Sequence, residues 1–465
     1  MMIATETLEI PAPEVLRAFD MPGPRYTSYP TADRFAEAFG ADAYGSALTH
    51  RSIDPAPPPL SLYVHLPFCD TVCYYCACNK VVTRNHGRVP EYIAAVTREA
   101  QMVAAQLGRV TAVEQLHFGG GTPTFLSEGE LVDLMAALTA VFPLAPRGEF
   151  GVEVDPRSTP PEKVRTLAQL GFNRMSVGVQ DFDRGVQAAV NRIQSFELTA
   201  ATIEAARAAG FGSINLDLIY GLPLQTRGSF DATLDRVLEL APDRVALYHY
   251  AHLPERFKPQ RRIAVEHLPS PAEKAAIMFD AIERLTDAGY VYIGMDHFAR
   301  ADDELARAQI QGRLHRNFQG YSTRAECDLI GLGVSSISKL GPTYAQNARE
   351  LDAYYGAIAA GVLPVVRGVL LDRDDLARRA VIMALMCHFV VSKEAIADAH
   401  LLDFDTYFAP ERVALAPFIE AGLVEDSPEW VTVTPRGKLL VRAVAMLFDR
   451  YLRSDERTRR YSKVV

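Results

Sequence analysis

The sequence predicts an α/β protein: a partial TIM-like (β/α)6 barrel, with an N-terminal arm before it and a mainly helical C-terminal domain after it. Three observations carry this expectation. Short apolar strands alternate with amphipathic helices six times between about residues 61 and 250. Regular alternation implies right-handed βαβ units and a parallel sheet. Cysteines, glycine runs and carboxylates then follow the strands, as they do at the C-terminal mouth of a barrel. Alternation alone also fits an open doubly wound sheet; the placement of the unusual residues favours the barrel. The expected division is an arm and linker over 1–55, the barrel with its extension over 56–365, and the helical domain, ending in a winged-helix-like segment, over 366–465.

Residues 1–50 show little periodicity. They contain MPGPRYTSYPTADRF, which reads as an extended arm, and Pro55, Pro57, Pro58 and Pro59 form a stiff linker. LYVHL at 62–66 is rich in strand formers. Over 90–107, Ile93, Val96, Ala100, Val103 and Leu107 fall on one helical face. VEQLHF (113–118) predicts the second strand. The helix over 127–142 opens with Ser127 and Glu130, a capping-box spacing. GEFGVEV (148–154), NRMSVGV (173–179), SINLDLIYG (213–221) and RVALYHY (244–250) supply four more strands, with helices over 160–171, 195–209 and 227–240 between them. A helix over 271–288 leads to YIGMDHFAR and a Gly-, His- and Arg-rich stretch. Past about 365 the pattern is helical, with one late hairpin and a helix in GLVEDSPEWVTVTPRGKLLVRAVAMLF. That ending invites a DNA-binding reading, but no strongly basic segment precedes it, so a packing domain is preferred.

A chain of 465 residues exceeds one ordinary core. Its net charge of −9 gives no global attraction for nucleic acid, so an anionic ligand needs a local group of Arg and Lys. The start lacks the basic-then-apolar pattern of a signal peptide, and no run of about 18 apolar residues predicts a membrane span. A cytoplasmic location is expected, where clustered thiols bind metal more readily than they pair as disulfides.

Four of the six cysteines lie within CDTVCYYCAC at 69–78. Cys69, Cys73 and Cys76 follow C-x3-C-x2-C directly after the first predicted strand. Thiolates are soft ligands suited to iron–sulfur clusters and to zinc. Structural zinc commonly uses two spaced C-x2-C pairs, and no second pair exists here. Three thiolates on one loop leave one iron of a cubane open to chelate a small molecule.

This motif, with an aromatic before its third cysteine, resembles the radical S-adenosylmethionine superfamily. Further blocks resemble one family within it, the oxygen-independent coproporphyrinogen III oxidases (coproporphyrinogen dehydrogenases): PRYTSYPTA, YVHLPFC, CYYCACNK, HFGGGTPT, EVDPR, SVGVQDF, AVNRIQ, NLDLIYGLP, YAHLP, GMDHFA and LHRNFQGY, spread over positions 24–321. The resemblance implies a [4Fe–4S] cluster on Cys69, Cys73 and Cys76, and two molecules of S-adenosylmethionine. It assigns Tyr63, Gly120, Gly121, Thr122 and Glu153 to the first of these, with the glycine turn bordering the second. Gln180, Arg192 and Asp217 match contacts to the second, and Ala251 and Ile337 match backbone or packing contacts. Tyr75 stands where the family pattern has Phe; the aromatic plane is kept and its hydroxyl needs a partner.

The implied reaction converts two propionates of coproporphyrinogen III to vinyl groups, giving protoporphyrinogen IX by way of a 5′-deoxyadenosyl radical in anaerobic haem biosynthesis. Arg25, Tyr26, Arg316 and Gln319 are the expected substrate contacts, because a tetracarboxylate needs cationic and polar donors. Cys78 is not expected as an iron ligand, since a fourth thiolate on the cluster would close the iron that must stay open; with Tyr63 it is carried as a catalytic candidate. The expected partners are the substrate and an electron donor such as flavodoxin or ferredoxin, with no membrane or nucleic acid and a monomeric chain. The alternative is a haem-binding chaperone-like relative without decarboxylase activity.

Overall fold

The structure, a computed structural model, describes residues 8–324 and 327–452. Most of the opening decapeptide, on which the signal-peptide expectation rests, lies outside the described residues, as does the end of the chain past 452. The chain forms two compact units. One comprises Ala36–Arg284 and Glu326–Leu370; the other draws on Met1–Phe35, Leu285–Ala325 and Leu371–Val465.

The first unit is built on six parallel strands: β1 (Leu60–Leu66), β2 (Val113–Gly120), β3 (Leu144–Val154), β4 (Arg174–Gln180), β5 (Ser213–Tyr220) and β6 (Arg244–His249). They lie side by side in chain order. Each is followed by helix, as the hydrophobic periods require: Val89–Leu107, Glu128–Thr139, Pro161–Gln169, Phe196–Ala208 and Arg227–Leu240 among them. Ser127 and Glu130 form the expected capping box. Strand β4, and β5 from Ile214 onward, alternate strictly between buried and half-buried positions. Met175, Val177, Leu216 and Leu218 take the fully buried face, leaving Ser176, Asn215 and Asp217 on the other.

The sheet extends further than the sequence predicts. β7 (Asp328–Leu332) adds in parallel to the free edge of β1. β8 (Ile337–Leu340), β9 (Thr343–Asn347) and β10 (Val365–Leu370) then continue it antiparallel. The segment MPGPRYTSYPTADRF contains no α-helix, but the aperiodic region around it is more ordered than the sequence suggests. Residues Pro13–Phe19 and Ala41–Ser52 are helical, the second buried through Tyr44 and Leu48.

On the helix Val89–Leu107 the predicted face holds at Val96, Ala100, Val103 and Leu107, which are buried, and departs at one position. Ile93 is only half-buried, whereas Tyr92 and Glu99 are buried. Tyr92 donates to the His65 carbonyl at 2.6 Å and accepts from Val334 N–H at 3.0 Å. Glu99 accepts from Gly333 N–H at 2.7 Å, Asn347 Nδ2 at 2.6 Å and the Tyr354 hydroxyl at 2.6 Å. Burial outweighs these three bonds and raises its carboxyl from the ordinary 4.5 to about 7. Between those values the folded chain holds a proton that the unfolded chain has released, so stability falls as pH rises through that window. The expected loss is on the order of 3 kcal/mol. Urea titrations at about pH 5 and about pH 8 should show this slope, and Glu99→Gln should flatten it; an equal slope in the variant contradicts the assignment.

In the second unit, the helix Arg373–His388 opens with a capping box on Asp372 and Asp375. A three-stranded antiparallel sheet follows, Val390–Ser392 and Val424–Asp426 flanking Trp430–Val433, and then the helix Val441–Leu447. The hairpin and helix read from the sequence are therefore present. The arm segment is fixed within this unit: the buried Tyr26 hydroxyl donates to Asp449 Oδ2 at 3.0 Å, and Tyr29 OH accepts from Arg450 N–H at 3.2 Å. Among the described residues no helix is long and apolar enough to cross a membrane.

Candidate active site

The cysteine loop leaves the C-terminal end of β1 and is closed at its base by backbone bonds. Phe68–Cys69 pairs in parallel with Val81–Val82, with Val81 N–H to Pro67 O at 2.7 Å and Thr83 N–H to Cys69 O at 2.9 Å. Tyr74 N–H donates to Val190 O at 2.9 Å, and Asn191 Nδ2 donates to Val72 O at 2.7 Å, which ties the loop to the segment after β4. At its far end His65 Nε2 meets Asn79 O at 2.9 Å, and Lys80 Nζ reaches Cys76 O at 3.1 Å. The CACNK tail thus fastens the loop to the strand below it.

Cys69 and Cys73 are buried, Cys76 is half-buried and Cys78 is exposed. Thr122 Oγ1 points at Cys69 Sγ at 3.4 Å. Two guanidiniums point at Cys73 Sγ, Arg157 Nη2 at 3.6 Å and Arg192 Nη1 at 3.7 Å. Among the described residues no three His, Cys, Asp or Glu side chains gather as they would around a single ion. The test of fit therefore rests on the donor set and the charge around it. Three soft thiols on one closed loop, with a hydroxyl and two fixed cations directed at their sulfurs, fit an anionic iron–sulfur cluster, whose sulfurs accept such hydrogen bonds.

The sheet register gathers the remaining candidates. Tyr63 pairs with His117, and their rings stack at 6.1 Å. Tyr63 OH meets His65 Nδ1 at 3.1 Å. Glu153 lies 3.4 Å from His117 Nε2 and accepts from Gly120 N–H at 3.2 Å. Desolvation acts to raise its carboxyl, but the His117 contacts and the Gly120 bond prevail and hold it below the ordinary value. It is a carboxylate available to a ligand donor, with its side chain 44% exposed.

The glycine turn differs from expectation in one respect. Much of the space vacated by its missing side chains is filled by the protein itself. A Cβ on Gly120 (φ +114) would lie 2.7 Å from the His65 ring, and one on Gly121 would lie 2.5 Å from Pro67 O. The bare backbone lets β2 press against the cysteine loop.

A second group forms beside the first. Gly178 pairs with Asp217 in the register, and a Cβ there would meet Arg192 Nη2 at 2.8 Å and Gln180 Nε2 at 3.0 Å. Arg192, 7% exposed, donates to Gly178 O at 2.6 Å and Asp155 Oδ2 at 3.0 Å. Its Nε is buried without a partner in the structure. Asp217 accepts from Ser176 Oγ and Asn215 Nδ2, each at 2.9 Å; burial and the nearby Glu153 charge push it up to about 6. Gln260 Nε2 bridges the carbonyls of Tyr75 (3.1 Å) and Ala251 (3.2 Å). The Tyr75 ring packs against Val186, Val190, Leu222, Tyr250 and Ile263, and its hydroxyl stands in the field of Arg192. Ile337 presses its backbone against Gly331, where a Cβ would meet Ile337 O at 2.6 Å.

The expected substrate contacts all fall in the other unit. Arg25 pairs with Asp296 at 2.6 Å, and Arg316 Nε reaches Arg25 O at 3.4 Å. Arg316 lies over the Tyr321 ring at 4.7 Å, and its Nη1 and Gln319 Nε2 are buried without partners in the structure. Sequence reasoning gave no role to Arg157, His65, His117 or Asn191. All four lie inside quoted motifs, but their roles follow only from contacts between segments distant in the chain.

Residues 63–237 match the Radical SAM superfamily, and residues 371–440 match the HemN C-terminal domain. The chain is 50% identical over 454 residues to an oxygen-independent coproporphyrinogen III oxidase of Pseudomonas aeruginosa, covering 97% of this chain and 98% of that protein. It is 46% identical over 451 residues to the Escherichia coli protein of the same name, at 97% and 98% coverage. The solved E. coli coproporphyrinogen III oxidase (HemN), described as a radical SAM enzyme, superposes with a TM-score of 0.91 at 45% identity, over 96% of this chain and 100% of that one.

Proposed function

The chain belongs to the oxygen-independent coproporphyrinogen III oxidases of the radical SAM superfamily, and from that premise we propose which of its residues perform the family's reaction. It oxidatively decarboxylates two propionates of coproporphyrinogen III to vinyl groups, yielding protoporphyrinogen IX. The full-length relationship to enzymes of that name carries this conclusion, and it does not favour the non-catalytic haem-binding alternative. A [4Fe–4S] cluster and S-adenosylmethionine are the cofactors of the superfamily. When bound, the reduced cluster supplies the electron that cleaves S-adenosylmethionine, and the resulting 5′-deoxyadenosyl radical takes hydrogen from a propionate β-carbon.

Cys69, Cys73 and Cys76 hold the cluster. Arg157 and Arg192 balance its negative charge from the side of Cys73. Glu153 accepts from donors of the first S-adenosylmethionine, beside Tyr63 and the Gly120–Thr122 turn. A second S-adenosylmethionine rests on Gln180, Arg192 and Asp217; the buried, unpartnered Arg192 Nε supports this, since a carboxylate would complete its fork. Tyr75, Ala251 and Ile337 shape the walls. Arg25, Arg316 and Gln319 bind substrate carboxylates, whereas Tyr26, committed to Asp449, acts by fixing the arm. The remaining parts of the reading are a cytoplasmic monomer and a flavodoxin- or ferredoxin-type donor.

Cys78 is exposed at the loop end, with its thiol hydrogen-bonded to that of Cys76, and its role in this reading is in the reaction rather than as a fourth ligand. Cys78→Ser should keep full iron content and S-adenosylmethionine cleavage while losing vinyl formation. Turnover at the wild-type rate removes Cys78 from the reaction; lost iron makes it a ligand instead.

A further inference from the structure

The C-terminal end of β5 turns at Gly221, whose φ of +84 favours glycine. The absent side chain there is used. A Cβ on Gly221 would lie 3.3 Å from Lys274 Cε and 3.6 Å from His249 Cδ2, so the lysine stem and the end of β6 close over this turn. Lys274 is the fourth residue of the helix Pro271–Asp287. A cation in the first turn of a helix sits at the wrong end of the dipole. It is also half-buried, and no ion pair or hydrogen bond to its ammonium is found among the described residues. The acid beside it, Glu273, is taken up by Arg227 N–H at 2.8 Å. His252 stands in the same field, its Nδ1 2.8 Å from Tyr250 OH, with Glu255 as its acidic neighbour.

A half-desolvated ammonium against the helix dipole and without a carboxylate is unfavourable unless a ligand completes it. It lies in the unit that carries the cysteine loop, at the same strand ends. The chain has a net charge of −9, so a tetracarboxylate must find such local cations. We propose that Lys274, laid over Gly221 at the mouth of the barrel, binds a propionate carboxylate of the substrate and so fixes how the tetrapyrrole is seated. This rests on the coproporphyrinogen reading above.

The test uses reconstituted holoenzyme and coproporphyrin III, the stable oxidised form of the substrate, with binding read by porphyrin fluorescence. Lys274→Met should weaken binding by roughly tenfold or more, the size of one charge-assisted hydrogen bond. It should raise KM for coproporphyrinogen more than it lowers kcat. Lys274→Arg should restore most of the affinity. The tetramethyl ester of coproporphyrin, which has no carboxylate, should bind both proteins alike. Iron content and the unfolding midpoint check the fold, and Lys274→Gln replaces the Met variant if that one is unstable. Equal affinity of wild type and variant for the free acid overturns the proposal, as does an equal loss for acid and ester. A wild-type enzyme that neither binds coproporphyrin nor forms protoporphyrin overturns the substrate reading itself; a wild type that does both beside an unaffected variant overturns Lys274 alone.

Discussion

Cys73→Ala should reduce S-adenosylmethionine cleavage to the level of an enzyme-free mixture and lower the iron bound after anaerobic reconstitution. The effect is expected to be the largest of any single substitution. Cys73 is the thiol that the protein surrounds most closely with charge, with Arg157 at 3.6 Å and Arg192 at 3.7 Å from its sulfur. A cluster bound through that sulfur gains two hydrogen bonds from fixed cations. Removing the sulfur leaves Arg157 with Asp155, and Arg192 with Asp155 and Gly178 O. The fold should persist, because Arg157 and Arg192 keep that carboxylate as a partner. Iron content, absorbance and methionine release measure the result. Full iron and ordinary cleavage in the variant would remove Cys73 from the ligand set.

Arg192→Leu should lower the amount of S-adenosylmethionine bound per chain from two to one. Affinity at the lost site should fall by roughly 10- to 100-fold, as expected for a charge-assisted fork to a carboxylate. The substitution also removes a buried cation from Asp155 and leaves Gly178 O without its donor. Orphaning a buried charge outright costs about 3–5 kcal/mol. Here Arg157 still holds Asp155 through both carboxylate oxygens, so about 1–3 kcal/mol is expected. Arg192→Lys should recover part of the stability and little of the binding, because an ammonium cannot span the same three partners. Equilibrium dialysis with labelled S-adenosylmethionine decides the point; a stoichiometry equal to wild type in the Leu variant would place the second cofactor elsewhere, or nowhere.

The sequence made the barrel legible where physical periods were clean. MSVGVQ and INLDLIY alternate residue by residue, and the structure buries their apolar members accordingly. The extension beyond β1 was hidden for a physical reason. DLIGL and TYAQN are buried at every position, so they show no period of two. Gln346 and Asn347 read as surface residues, yet both are buried and hydrogen-bonded. The helix over 41–52 was missed because its apolar face is narrow, resting mainly on Tyr44 and Leu48. Glu99 looks like a solvated charge in the sequence; only the loops packed on its helix make it an internal acceptor.

At the site, the cysteines were legible because chain proximity suffices to gather them. Gln180, Arg192 and Asp217 were recognised through their motifs, and the register of β4 and β5 explains why they meet around Gly178. Arg157 was not, although EVDPR contains it, because its role depends on a turn that swings it back to Asp155 and onto Cys73. Lys274 belongs to a helix far along the chain and acquires its setting only by lying over Gly221.

The central claim is that this chain turns propionates into vinyl groups with a thiolate-held cluster. The most direct measurement is anaerobic turnover: reconstituted and reduced enzyme, S-adenosylmethionine and coproporphyrinogen III, followed by oxidation and separation of the porphyrins. The structure and its relatives predict protoporphyrin together with carbon dioxide, at two carbon dioxide molecules per protoporphyrin formed. Cleavage of S-adenosylmethionine with coproporphyrin recovered intact would contradict it.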